Sequence, residues 1–116
     1  MTWRYRYGGN KYHAVSSTYN GISYHSKKEA AYAAELDLRV KAKDIKGWER
    51  QKKISLDING YHICNYYMDF VVEHNDGTFE YVEVKGFETE EWRLKWKLTE
   101  AIFSKERPDV RLTVVK

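Results

Sequence analysis

The tripeptide Asn75-Asp76-Gly77 stands between two runs rich in β-branched and aromatic residues, 61–73 and 78–85, and constrains the chain more tightly than any other feature. Gly77 suits the left-handed position that closes a three-residue hairpin loop, with Asn75-Asp76 in a type I turn, because glycine takes positive φ without steric cost. That loop pairs His74 with Thr78. Counting back along both strands, Val71 faces Tyr81 and Asp69 faces Glu83. A two-residue Asp-Gly turn would instead set Asp69 against Val84 and send Glu83 to the other face, so the loop decides whether the two acids meet. In the three-residue register, alternation puts Glu83 and Lys85 on one face of their strand with Asp69 beside Glu83.

The rest of the chain supplies elements around this hairpin. Asn20-Gly21 lies between 15–19 and 22–24, a type I′ hairpin signal. Ser26 with Glu29 three residues on is a capping-box pattern, and the helix it opens is expected to run to about Ile45 and end near Gly47. At about 100° per residue, Glu29, Ala33, Leu36 and Val40 share one stripe of that helix, with Glu35 well round from it. Residues 53–58 alternate apolar at Ile54, Leu56 and Ile58 before the turn pair Asn59-Gly60. Residues 90–105 form a second helix with Trp92, Trp96, Thr99 and Phe103 on one face; Pro108, the only proline, precedes a last strand over 111–115. The order predicts an α/β fold: one domain with a mixed central β-sheet flanked by helices, preceded by an N-terminal β-hairpin. Gly8-Gly9 should uncouple a basic and aromatic arm, residues 1–11, from the domain over 12–116.

Composition narrows the functional classes. At 116 residues the chain can bury a core without staples, and its single cysteine, Cys64, excludes an internal disulfide framework and a cysteine-based zinc site. With no long apolar run and no charged-then-apolar leader, the expectation is a soluble intracellular protein that neither spans nor binds a membrane. The first 28 residues hold Arg4, Arg6, Lys11, Lys27 and Lys28 and no acid, while the other 15 basic residues against 17 acids leave the remainder at −2. A basic end on a near-neutral body suits a polyanion.

The acidic pair carries the chemistry. Like charges directly opposite in a sheet repel, and desolvation among Tyr67, Phe70, Val82 and Val84 raises the cost. A divalent cation removes that cost. One or two carboxylates with water and a phosphate are what Mg²⁺, or Mn²⁺ in its place, prefers. Metal on Asp69 and Glu83 can polarise a phosphate oxygen and acidify a bound water, with Lys85 either orienting that water or stabilising the charge that builds on phosphorus. Glu29 reads two ways, as capping partner of Ser26 or as a third carboxylate if its stripe packs over the same sheet end.

These residues resemble the PD-(D/E)XK nuclease superfamily. The resemblance lies in Asp69 within Tyr67-Met68-Asp69-Phe70, followed by Glu83-Val84-Lys85-Gly86, on a helix, three-strand, helix, strand order. It is nearer to small phage-encoded members, some regarded as Holliday junction resolvases, and extends over Asn10-Lys11-Tyr12, Asn20-Gly21-Ile22, Ser26-Lys27-Lys28-Glu29-Ala30, Trp48-Glu49-Arg50-Gln51, Thr89 and 92–98. Met68 stands where the motif name has proline. The resemblance implies a restriction-endonuclease-like core and Mg²⁺-dependent hydrolysis of DNA phosphodiesters. It makes Glu29, Asp69, Glu83 and Lys85 the catalytic positions, the three acids being the metal ligands. It also implies a homodimer, since a four-way junction needs two coordinated cuts, and, for a phage protein, the cytoplasm of a bacterial host.

Expected DNA contacts are Arg4, Arg6, Lys11, Lys27, Lys28, Gln51, Lys95 and Lys97. The arm interleaves Trp3, Tyr5 and Tyr7 with its cations, which suits phosphates and unstacked bases, and equally suits an edge strand or dimer seam. Trp92 and Trp96 read as core, and the four histidines show no metal-ligand spacing. Rival readings are a restriction- or repair-type endonuclease of the same fold on linear duplex, a non-catalytic DNA-binding protein, and a partner-binding protein with surface carboxylates.

Overall fold

A computed structural model describes residues 17–116, and the chain divides into two compact units between Asp44 and Ile45. The expected border between arm and domain, at residues 11–12, lies outside the described residues, as do Val15 and Ser16 of the expected hairpin.

In the first unit, β1 (Ser17–Tyr19) and β2 (Ile22–Tyr24) pair antiparallel with Tyr19 opposite Ile22. Asn20 and Gly21 have φ of 54° and 78°, the doubly left-handed backbone of a type I′ turn. Ser26 caps α1 (Lys27–Lys41) by accepting the Glu29 N–H at 3.1 Å. Glu29, Ala33 and Leu36 of the expected stripe are buried together with Ala30, Val40 is half-buried, and Glu35 is exposed. The helix ends earlier than its pattern suggested. Asp44 N–H donates to Arg39 C=O at 2.8 Å and Lys43 N–H to Val40 C=O at 3.0 Å, a Schellman closure with Lys43 at φ 61°. A lysine thus fills the left-handed position that usually belongs to glycine, and the Arg39–Asp44 ion pair at 2.9 Å spans the same turn. Gly47 is therefore not a helix stop; it opens the next strand.

The second unit holds β3 (Gly47–Ile58), β4 (Tyr61–Glu73), β5 (Phe79–Val84), α2 (Glu90–Glu106) and β6 (Arg111–Val115). Its sheet runs β3-β4-β5-β6, antiparallel at the first two joins and parallel at the last, so the sheet is mixed as expected. The crossover between the parallel strands contains α2. β3 starts well before the expected residue 53, at Gly47 opposite Glu73. Alternation did not reveal this extension, because Gln51 sits at φ 53° in mid-strand and interrupts the period of two. Trp48 anchors the extension edge-on against Phe70, 5.6 Å between centroids.

Thr89 caps α2 by accepting the Trp92 N–H at 3.0 Å, and the helix buries Trp92, Trp96, Thr99 and Phe103. The three aromatics join Ile54, Leu56, Tyr66, Met68, Val71, Tyr81 and Val110 in one apolar cluster. Deleting any of these large rings to alanine costs about 3–5 kcal/mol in a core of this kind. The β4–β5 loop has the three-residue form. His74 N–H bonds Thr78 C=O at 2.9 Å, Gly77 N–H bonds His74 C=O at 3.0 Å, and Gly77 has φ 88°. Val71 consequently stands opposite Tyr81. No described helix is long and apolar enough to cross a membrane.

Candidate functional site: a carboxylate pair in a broken ladder

The β4–β5 ladder stops at Phe70 opposite Val82, one step short of the acidic pair. Beyond it, side chains replace the backbone bonds. Asp69 Oδ2 accepts the Val84 N–H at 2.9 Å, and Glu83 Oε1 accepts the Asp69 N–H at 3.4 Å. Each carboxylate is thus tied to the other's strand, and both are only 1% exposed. The register set by Gly77 is what brings them together.

Lys85 is the cation beside them. Its Nζ lies 3.6 Å from Glu83 Oε2 and 5.2 Å from the centroid of the Trp92 ring, and the side chain keeps 15% exposure. Its own N–H donates to Val115 C=O at 2.8 Å, so β6 braces the strand that carries it. Tyr66 closes the group from within. Its hydroxyl accepts the indole N–H of Trp92 at 2.7 Å, within reach of the Glu83 and Asp69 charges. Burial pushes the Tyr66 phenol far up, and the Glu83 and Asp69 charges push the same way, so it remains a neutral hydroxyl.

Two carboxylates side by side and almost fully desolvated, with the Lys85 ammonium 3.6 Å from one of them, repel each other wherever both are ionised. Oxygen-only donors of this kind fit a hard divalent cation such as Mg²⁺ and give no soft site for zinc or copper. Among the described residues no group of three or more His, Cys, Asp or Glu side chains converges as a metal cage.

The structure brings together Asp69, Glu83 and Lys85. Glu29 belongs to the first unit, where it is 4% exposed, its N–H is held by the Ser26 cap, and its Oε1 lies 3.7 Å from His25 Nδ1. Lys27 and Lys28 are exposed in the first turn of α1. Gln51 lies in β3 between the pairs Arg50–Phe70 and Lys52–Met68, with its Nε2 buried and no hydrogen-bond partner among the described residues. Lys95 is drawn to Glu91 at 3.2 Å and is half-buried, while Lys97 is exposed. Arg4, Arg6 and Lys11 lie outside the described residues.

Sequence reasoning missed Tyr66 and Trp92. An aromatic stripe on a helix marks a buried face, but not the atom to which an indole N–H points. A second polar trio, Ser55, Asp57 and His62, imitates a hydrolytic triad and is not one. Ser55 Oγ at 2.9 Å and Asp57 Oδ1 at 2.8 Å both meet the same nitrogen, Nδ1, whereas a proton relay needs both ring nitrogens.

The chain matches a protein family of unknown function, DUF1064, over residues 9–116. The chain belongs to that family. The DUF1064 match takes in the carboxylate pair, Lys85, Tyr66 and Trp92, and leaves out Arg4 and Arg6. No curated protein and no solved structure matches the chain.

Proposed function

We propose that this chain is a Mg²⁺-dependent DNA endonuclease that hydrolyses phosphodiester bonds in branched DNA. In this reading it acts as a phage Holliday junction resolvase, working as a homodimer in the cytoplasm of a bacterial host. One observation carries the nuclease reading. Asp69 and Glu83 are locked together at 1% exposure with Lys85 Nζ 3.6 Å from the second of them. The PD-(D/E)XK resemblance supports the same chemistry and adds Glu29 as a third carboxylate.

Asp69 and Glu83 would hold the cation, which when bound supplies a Lewis acid for the phosphate and an acidified water. The protein contributes the rest. The cross-strand bonds from Val84 N–H and Asp69 N–H keep both carboxylates from turning away, so little reorganisation is needed when phosphate arrives. Lys85, fixed over Trp92, offers its ammonium to the non-bridging oxygens as their charge grows. The absence of Cys and His from the pair keeps the site selective for hard cations.

The test is cleavage of end-labelled four-way, flapped and linear DNA by the full chain, with Mg²⁺ and with EDTA. Mg²⁺-dependent nicking that favours the four-way junction is expected. Equal cutting of all three substrates replaces the resolvase with a general endonuclease of the same chemistry. Binding without divalent-dependent cutting of any substrate overturns the enzyme and leaves a DNA-binding protein.

A further inference from the structure

Trp92 makes polar contacts at two points. Its backbone is fixed by the Thr89 cap at 3.0 Å, and its ring is backed by Trp96 in a near-parallel stack, 5.8 Å between centroids and 21° between planes. The indole N–H then meets Tyr66 Oη at 2.7 Å, and the ring lies 5.2 Å from Lys85 Nζ. Trp96 also meets Tyr66 edge-on at 6.4 Å, so the phenol is held by rings as well as by its hydroxyl.

Donor and acceptor counting gives this arrangement a direction. Indole nitrogen can only donate, so the Tyr66 oxygen must accept from Trp92. The phenol keeps one hydrogen of its own, and the nearest charge that acts on it is Glu83. The Trp92 bond therefore fixes which way the phenol oxygen faces and leaves its hydrogen on the side of the carboxylates. One indole thereby sets both charged groups: Glu83 through the phenol, and Lys85 through the attraction of an ammonium to an aromatic ring.

We infer that Trp92 and Tyr66 are a positioning pair that fixes the Glu83 carboxylate and the Lys85 ammonium in the mutual geometry needed to hold a divalent cation against a phosphate. The inference rests on the metal-nuclease reading above. It adds that this reading depends on a hydroxyl and an indole that touch neither metal nor DNA. Outer partners of this kind typically change metal affinity or activity by about 10–100-fold when removed.

The experiment measures Mn²⁺ binding by the loss of the free-ion electron paramagnetic resonance signal, together with kcat and KM for junction cleavage. It uses the full chain and the variants Tyr66→Phe, Trp92→Phe and Tyr81→Phe, each checked for folding by circular dichroism. Tyr81 is an equally buried tyrosine, packed edge-on to Phe103 at 5.6 Å, and serves as the core control. Tyr66→Phe and Trp92→Phe are expected to weaken Mn²⁺ binding by about 10–100-fold and to lower kcat, with KM for DNA unchanged and Tyr81→Phe like wild type. Either folded variant suffices. Wild-type Mn²⁺ affinity and kcat in a folded Tyr66→Phe or Trp92→Phe chain overturns the positioning pair and leaves the nuclease standing. An equal loss in Tyr81→Phe overturns it as well, by assigning the effect to core packing. A wild-type chain that takes up no Mn²⁺ overturns both, and does so before any variant is compared.

Discussion

Two glutamates on β5, Glu80 and Glu83, sit an odd number of residues apart and so on opposite faces of one strand, in opposite circumstances. Glu80 is matched on every side. His74 Nε2 meets its Oε1 at 2.8 Å, Thr113 Oγ1 donates to its Oε2 at 2.5 Å, and Arg111 stands 4.0 Å away. Burial pushes its carboxyl up, but the Thr113 and His74 hydrogen bonds and the nearby cations outweigh that and hold it below its ordinary 4.5. Glu83 has a second carboxylate for a neighbour, accepts the Asp69 N–H over a long 3.4 Å, and meets the Lys85 ammonium at 3.6 Å with the Tyr66 phenol close by. The strand thus separates a carboxylate set among donors and cations from one set beside a like charge, and in the proposed function only the second takes a cation.

The contrast breaks most visibly in activity. Asp69→Asn and Glu83→Gln keep an oxygen to accept the cross-strand N–H bonds, so both should fold, and both should lose Mg²⁺-dependent cleavage altogether. Neither should melt lower than wild type in EDTA, since each removes a like charge. Glu80→Gln should cut DNA at the wild-type rate, and an inactive Glu80→Gln or a fully active Glu83→Gln would erase the distinction. Lys85→Ala should lower the single-turnover rate by about 10²–10³-fold, the usual effect of losing one transition-state donor.

Stability sharpens the comparison from the other side. Glu80→Gln should lose roughly 1.5–3 kcal/mol in urea denaturation near neutral pH, the range for hydrogen bonds to a charged group. The pH dependence follows from the lowered carboxyl of Glu80. Its contribution is present above the ordinary value of 4.5 and is lost as pH falls through the lower folded value. Denaturation midpoints measured across that acid range should therefore drop more steeply for wild type than for Glu80→Gln. Gly77→Ala should show the smallest effect, about 1–2 kcal/mol from forcing a side chain to φ 88°, with the hairpin register and cleavage intact.

Much of the second unit was legible because its signals are local. Gly77 fixes a loop, the loop fixes a register, and the register carries Asp69 to Glu83 without any tertiary information. The α2 stripe of Trp92, Trp96, Thr99 and Phe103 was legible for the same reason, since helical phase alone selects it. What escaped depends on distant partners or on exceptions to residue preference. The end of α1 was misplaced because a lysine takes the left-handed cap. The early start of β3 was missed because Gln51, at φ 53°, breaks the alternation that defines a strand in sequence. Trp92 was read correctly as buried and incompletely as only that, because burial is written in periodicity and a hydrogen bond to Tyr66 is not.

The Val84 amide proton rests on the Asp69 carboxylate, not on a carbonyl of the neighbouring strand. Its nuclear resonance and its rate of exchange with deuterated water therefore follow the electron demand placed on that carboxylate. A cation drawing on Asp69 should move the Val84 peak before any DNA is added, while the peaks of Val71 and Tyr81, which stand opposite each other in the intact part of the ladder, stay in place. The break in the ladder thus gives the backbone a spectroscopic label at the centre of the site.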